Sequence, residues 1–157
     1  MSQYACFALR SQSMSSVEMA AHLAVEPDEV TVRGSRQLDP VRPAGHSWKV
    51  VCRTPGLDLD TLVATVLDRV APAAARIREL VDADVIDATL LIVRYFNDEA
   101  GQAEEKVAFD EDGHTWEKMP GQHHMLGWSL EAETLELLVS MGASIDVDEY
   151  GWPMSMS

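Results

Sequence analysis

Arg33, Arg36, Arg42, Lys49 and Arg53 fall within one stretch of chain whose only acidic residue is Asp39. Guanidinium forks offer paired donors to a phosphate or carboxylate, and the backbone N–H groups at Gly34-Ser35 could add to them. With the imidazole of His46 beside them, Arg33, Arg36, Arg42, His46 and Lys49 form a candidate site for a small anionic ligand, or for a minor enzyme that uses one. The competing expectation is that the carboxylate surplus elsewhere in the chain holds these cations in surface ion pairs of little energetic worth.

A second concentration is acidic. Asp98, Glu99, Glu104, Glu105, Asp110, Glu111, Asp112 and Glu117 crowd an irregular segment in which Phe109 and Trp116 stand beside the charges. Negative charge steers a basic protein partner and aromatic side chains anchor it, which makes Glu104, Glu105, Phe109, Asp110, Asp112 and Trp116 the candidate partner contacts. A solubilising loop is the plainer alternative. His114, His123 and His124 lie among these carboxylates and add ligand types that suit a transition metal. No His-x-x-x-His or Cys-x-x-Cys spacing fixes a geometry, so neither a metal site nor a cofactor is expected.

Other catalytic patterns are missing. Ser35 or Ser47 with His46 and Asp39 would be a nucleophile set within one loop, but there is no Gly-x-Ser-x-Gly elbow, and adjacent residues such as His46 and Ser47 point to different sides of an extended chain. Phosphate-cradling glycine motifs are absent, and among 26 acidic residues only burial would mark a perturbed carboxylate pair. The balance leans away from an enzyme.

The chain that must position these groups has 157 residues, 46% of them apolar and 24% charged, enough for one domain with a single core. Twelve Lys plus Arg against 26 Asp plus Glu leave a formal charge of -14, which argues against general nucleic-acid or anionic-membrane binding. The charge is unevenly spread: residues 1–53 carry a net +1 and residues 54–157 a net -15. The first residues lack a basic stretch followed by an apolar one, and no window has the apolar length of a membrane span, so a cytoplasmic protein is expected. Cys6 and Cys52 fall in strand-like segments and read as small buried hydrophobes, not as a disulfide.

Tyr4 to Leu9 suits a first strand. Ser15 and Glu18 have capping-box spacing, and Val17, Ala20, Ala21, Leu23 and Ala24 recur at helical intervals up to Glu26-Pro27. Val30 and Val32 suggest a short strand, and Trp48, Val50 and Cys52 mark the buried face of another, which makes Trp48 a core residue and not a ligand platform. Leu59, Leu62, Val63, Val66, Leu67 and Val70 form one helical stripe, with Asp58 or Asp60 near its cap. Pro72 must break that helix, after which Ile77, Leu80 and Val81 point inward. Asp87 to Phe96 is apolar at both parities, as in a central strand. Lys106–Asp110 and His114–Lys118 can pair as a small hairpin around Asp112-Gly113. Ser129 precedes a last helix that Gly142 closes, and Ile145 and Val147 alternate with Asp146 and Asp148 in a last strand.

This order predicts a single α+β domain over residues 1–151, a mainly antiparallel sheet with three or four helices packed against it, an irregular acidic insert at about 98–122, and a frayed tail at 152–157. With the opening strand, Ser15-Ser16-Val17-Glu18, Leu23-Ala24-Val25-Glu26-Pro27, Trp48-Lys49-Val50, Ser129-Leu130-Glu131 and Met141 through Val147 to Tyr150 in place, the chain resembles a small bacterial family known as domain of unknown function 4279, from Tyr4 to Tyr150. The resemblance implies the fold class and a bacterial origin, and brings no activity or catalytic residues. From charge and composition, the expected function is a non-enzymatic, immunity- or antitoxin-like module that binds a basic protein through its acidic face. The alternative is an anionic-ligand binder acting through loop 33–53, and a structural homo-oligomer is a third prospect.

Overall fold

The computed structural model describes residues 2–34, 44–95, 107–109, 115–117 and 128–150. Along the chain these form β1 (Ser2–Ser11), α1 (Ser16–Leu23), β2 (Glu29–Thr31), β3 (His46–Cys52), α2 (Leu59–Val70), α3 (Ala74–Asp82), β4 (Asp87–Tyr95), β5 (Val107–Phe109), β6 (Thr115–Glu117), α4 (Ala132–Met141) and β7 (Ser144–Tyr150).

Phe7 and Leu9 on one face of β1, and Cys6 and Ala8 on the other, are all buried, which suits a strand inside a sheet. β1 is the middle strand of five, in the order β2-β3-β1-β4-β7. It pairs antiparallel with β3 and β4, β2 pairs antiparallel with β3, and β4 pairs parallel with β7. The sheet is therefore mixed but mainly antiparallel, and β5 and β6 form a separate antiparallel ribbon. β3 and β4 run parallel to each other on either side of β1, so α2 and α3 make the crossover between them, and α4 makes the second crossover into β7.

One face of the sheet takes all the helices. Ala5, Phe7, Leu9, Trp48, Val50, Cys52, Ala88, Leu90 and Ile92 meet Met19 and Leu23 of α1, the α2 stripe, Ile77 of α3, and Leu138 and Met141 of α4 in one core. All six predicted α2 stripe residues are buried, each contributing roughly 1.5–3 kcal/mol relative to exposure. The Asp58 carboxylate caps α2 by accepting from Thr61 N–H at 2.7 Å. Pro72 sits in a 3-10 turn, Ala71–Ala73, where its missing N–H is harmless, and α3 follows directly. The result is a single α+β domain, and no described helix is long and apolar enough to cross a membrane.

The structure departs from expectation at α1 and at the chain's end. The capping box forms, with Ser15 N–H donating to Glu18 Oε2 at 2.7 Å, but α1 buries Ser16, Met19 and Leu23 while Val17 is 77% exposed. Ala24 ends that helix in the left-handed conformation, ahead of Glu26-Pro27. Helix α4 begins after Glu131, not at Ser129; Leu138 and Met141 are its buried residues. Gly142 closes it as predicted at φ 68°, a conformation glycine adopts without strain.

Candidate interaction surface

Arg33 and His46 meet where β3 begins. The Arg33 backbone N–H donates to His46 Nδ1 at 3.2 Å, which leaves the ring proton of the neutral imidazole on Nε2, and the Arg33 guanidinium donates to the Gln12 carbonyl at 3.0 Å. A cleft of about 330 Å³ opens beside them, bounded by Arg10, Gln12, Gly45, His46, Ser47 and Asp87. Arg10 and Asp87 are in-register partners on β1 and β4, so a cation and a carboxylate share the mouth.

The predicted basic set is therefore divided. Lys49 lies three residues along β3 from His46, so its side chain projects from the opposite face, with Ala8 and Glu29 as in-register partners. Arg36 and Arg42 lie outside the described residues. Arg53 is ion-paired with Glu29 and lies over the Tyr4 ring, 4.6 Å from its centroid. Arg10 belongs to the rim although sequence separation hid it; strand pairing sets it opposite Ser47, the neighbour of His46, on the same face of the sheet as Lys49. Among the described residues, no group of three His, Cys, Asp or Glu is placed to hold a metal. The metal-ligand types at His114, His123 and His124 lie outside the described residues.

On the face of the sheet opposite the helices, Lys49, Arg53 and Arg10 stand beside the carboxylates of Glu29 and Asp87, whereas Asp146 and Asp148 on β7 are in register with Leu91 and Val93 and have no cation opposite them. Cys6 and Cys52 project from opposite faces and are both free thiols. At one end Tyr95 and Tyr150 stack with ring centroids 5.0 Å apart. The charge of Asp148 is the foremost reason that the Tyr150 phenol is raised above its ordinary range, with slight burial, Tyr95 and Asp146 acting in the same direction.

Carboxylates are also frequent on α4, which packs on the other face of the sheet from Asp146 and Asp148. Residues 128–150 contain Glu131, Glu133, Glu136, Asp146, Asp148 and Glu149 and no Lys, Arg or His. Exposed apolar side chains accompany them: Leu135 and Val139 on α4, Ile145 and Val147 on β7. Ile145 and Val147 share parity with Leu90 and Ile92, yet stay partly exposed because β7 is the end strand. Arg78 of α3 positions this helix, its guanidinium lying 3.4 Å from the Val139 carbonyl while it also pairs with Asp82 at 2.9 Å.

The predicted ribbon forms, with Phe109 in register with Thr115 and Trp116 with Ala108. Of the other expected partner contacts, Glu104, Glu105, Asp110 and Asp112 lie outside the described residues. The carboxylates of α4 and β7 were missed as a candidate surface, although their signal was present as a stretch without a single Lys, Arg or His.

A five-stranded mixed sheet with its helices on one face defines an α+β domain. Residues 2–152 match the model of the family described as Domain of unknown function (DUF4279), and the chain belongs to that family. No curated protein and no solved structure matches it.

Proposed function

We propose that this protein is a non-enzymatic interaction module that binds a basic protein partner through its acidic face, in the manner of an immunity or antitoxin protein. The observation that carries this reading is the stretch 128–150, which holds six carboxylates and no Lys, Arg or His of its own and exposes Leu135 and Val139 on α4 and Ile145 and Val147 on β7. Charge of one sign raises the encounter rate with a basic surface, and the apolar side chains supply the desolvated contact that holds it. The test is retention of basic host proteins on the immobilised chain at low and high salt. Retention at low salt that is lost at high salt supports the reading; failure to retain any basic protein contradicts it.

A second reading rests on the rim cleft that Arg10 and His46 help to line, with Arg33 hydrogen-bonded to His46 beside it. Here a phosphate or small carboxylate is the ligand, and Arg36 and Arg42 on the same loop are its further donors. Thermal stabilisation by such anions, abolished by Arg10→Ala together with Arg36→Ala, supports this reading, and a screen without a shift removes it.

A further inference from the structure

We propose that the basic partner engages as an extended segment, adding a sixth strand to the sheet along the outer edge of β7. This rests on the acidic-face reading above and specifies its geometry.

β7 ends the sheet, and its register with β4 is unbroken from Thr89–Ser144 to Tyr95–Tyr150. Alternate backbone N–H and C=O groups of β7 therefore face away from β4, and no described strand pairs with them. Proteins usually blunt such an edge with charged side chains, above all lysine, with proline, a bulge or a very short strand, and β7 carries only acidic charge. Residues 144–150 contain neither Lys nor Pro, hold a continuous ladder and run for seven residues. The opposite edge is different: β2 has three residues, and its Glu29 is already engaged by Arg53.

The edge is also held in place before any partner arrives. Thr89 Oγ1 and Ser144 Oγ lie 3.0 Å apart at its start, Arg94 Nη1 donates to Glu149 Oε1 at 2.7 Å near its end, and Tyr150 stacks on Tyr95. A preordered strand spares the ordering entropy that weakens binding to a loose one.

The side chains select the occupant. Ile145 and Val147 stand on one face and Asp146 and Asp148 on the other, so an incoming strand that alternates apolar and basic residues sets apolar against apolar and cation against carboxylate. A second copy of the chain is disfavoured by the same pattern. Antiparallel pairing of two β7 strands about Val147 would set Asp146 against Asp148 twice, and like charges directly opposite are destabilising. The acidic residues thus guard the edge against self-association while attracting a basic strand.

The probe is an end-blocked synthetic peptide of alternating lysine and valine, used beside the same peptide N-methylated at alternate residues. Binding is followed by titration calorimetry and by hydrogen exchange of the β7 amides in the full chain. The proposal predicts that the plain peptide binds at low salt and slows exchange in β7, and that N-methylation weakens binding about tenfold or more. Equal binding of the two peptides overturns strand addition while leaving the acidic-face reading standing. Absence of peptide binding at low salt also overturns it, and retention of basic host proteins then decides the broader reading by itself.

Discussion

Arg94 and Glu149 face each other across the parallel β4–β7 ladder, Nη1 donating to Oε1 at 2.7 Å, with Arg94 2% exposed and the glutamate 45% exposed. A guanidinium on a core-facing position of the sheet is costly unless paired, and part of its pairing comes from the edge strand. Glu149→Ala should therefore lower unfolding free energy by ~1–2 kcal/mol, the lower part of the range for charged hydrogen bonds because one partner meets solvent. Urea unfolding checks this, and hydrogen exchange should place the loss first in β7.

Asp28 ties three elements together. Its Oδ2 accepts from Arg69 of α2 at 2.5 Å and from Val51 N–H of β3 at 2.7 Å, while its own N–H donates to the Lys49 carbonyl at 2.8 Å. Partial burial pushes the carboxyl up, but the hydrogen bonds from Arg69 and Val51 and the Arg69 charge together outweigh it, and the group ends below its ordinary 3.8. The folded state thus binds this proton less readily than the unfolded chain. The associated stability is present above about pH 4 and is lost as pH falls through the lowered folded-state value. Asp28→Asn should be less stable than the parent at neutral pH, with a flatter acid limb in melting temperature against pH. Parallel acid limbs for the two proteins would contradict the assignment.

The field of the acidic edge can be read from Tyr150. Removing the charge of Asp148 removes the foremost reason that the phenol is raised. Asp148→Asn should lower the Tyr150 pKa, because the phenolate no longer forms beside an anion. Carbon NMR of the labelled tyrosine ring follows this titration, and an unchanged value would deny the edge its negative potential.

Cys6 is held inert by burial, the largest influence on it, which outweighs nearby Lys49 and pushes the thiol up to about 11. At pH 8 the folded protein should alkylate at Cys6 far more slowly than the urea-unfolded chain, as peptide mapping by mass spectrometry would show. Equal rates would mean that the face of β1 carrying Cys6 is open.

How legible the fold was depended on side-chain size and on whether a signal was local. The α2 stripe consists of large residues with one way to be buried, and Ser15-Glu18, Pro72 and Gly142 act through backbone geometry within a few residues. The apolar positions assigned to α1 were mostly alanine, which fits either side of a helix, so the pattern admitted the wrong face and Met19 was overlooked. Ile145 and Val147 were rightly given to a strand, but their exposure follows from β7 being last in the sheet, and strand order is set by long-range pairing. The same limit hid Arg10 at the rim, whereas the separation of Lys49 from His46 was legible locally, since an odd spacing within one strand puts two side chains on opposite faces.

The most direct test compares the parent with Asp146→Lys/Asp148→Lys, both immobilised at equal density and exposed to basic host proteins and the alternating lysine–valine peptide at low salt. Both positions lie on the helix-free face of β7, so the core is untouched and unfolding midpoints should remain close. The account predicts salt-sensitive capture by the parent and a loss of about tenfold or more in the variant, two charge reversals each contributing on the order of 1 kcal/mol at close range. Equal capture by the two proteins would contradict the central claim.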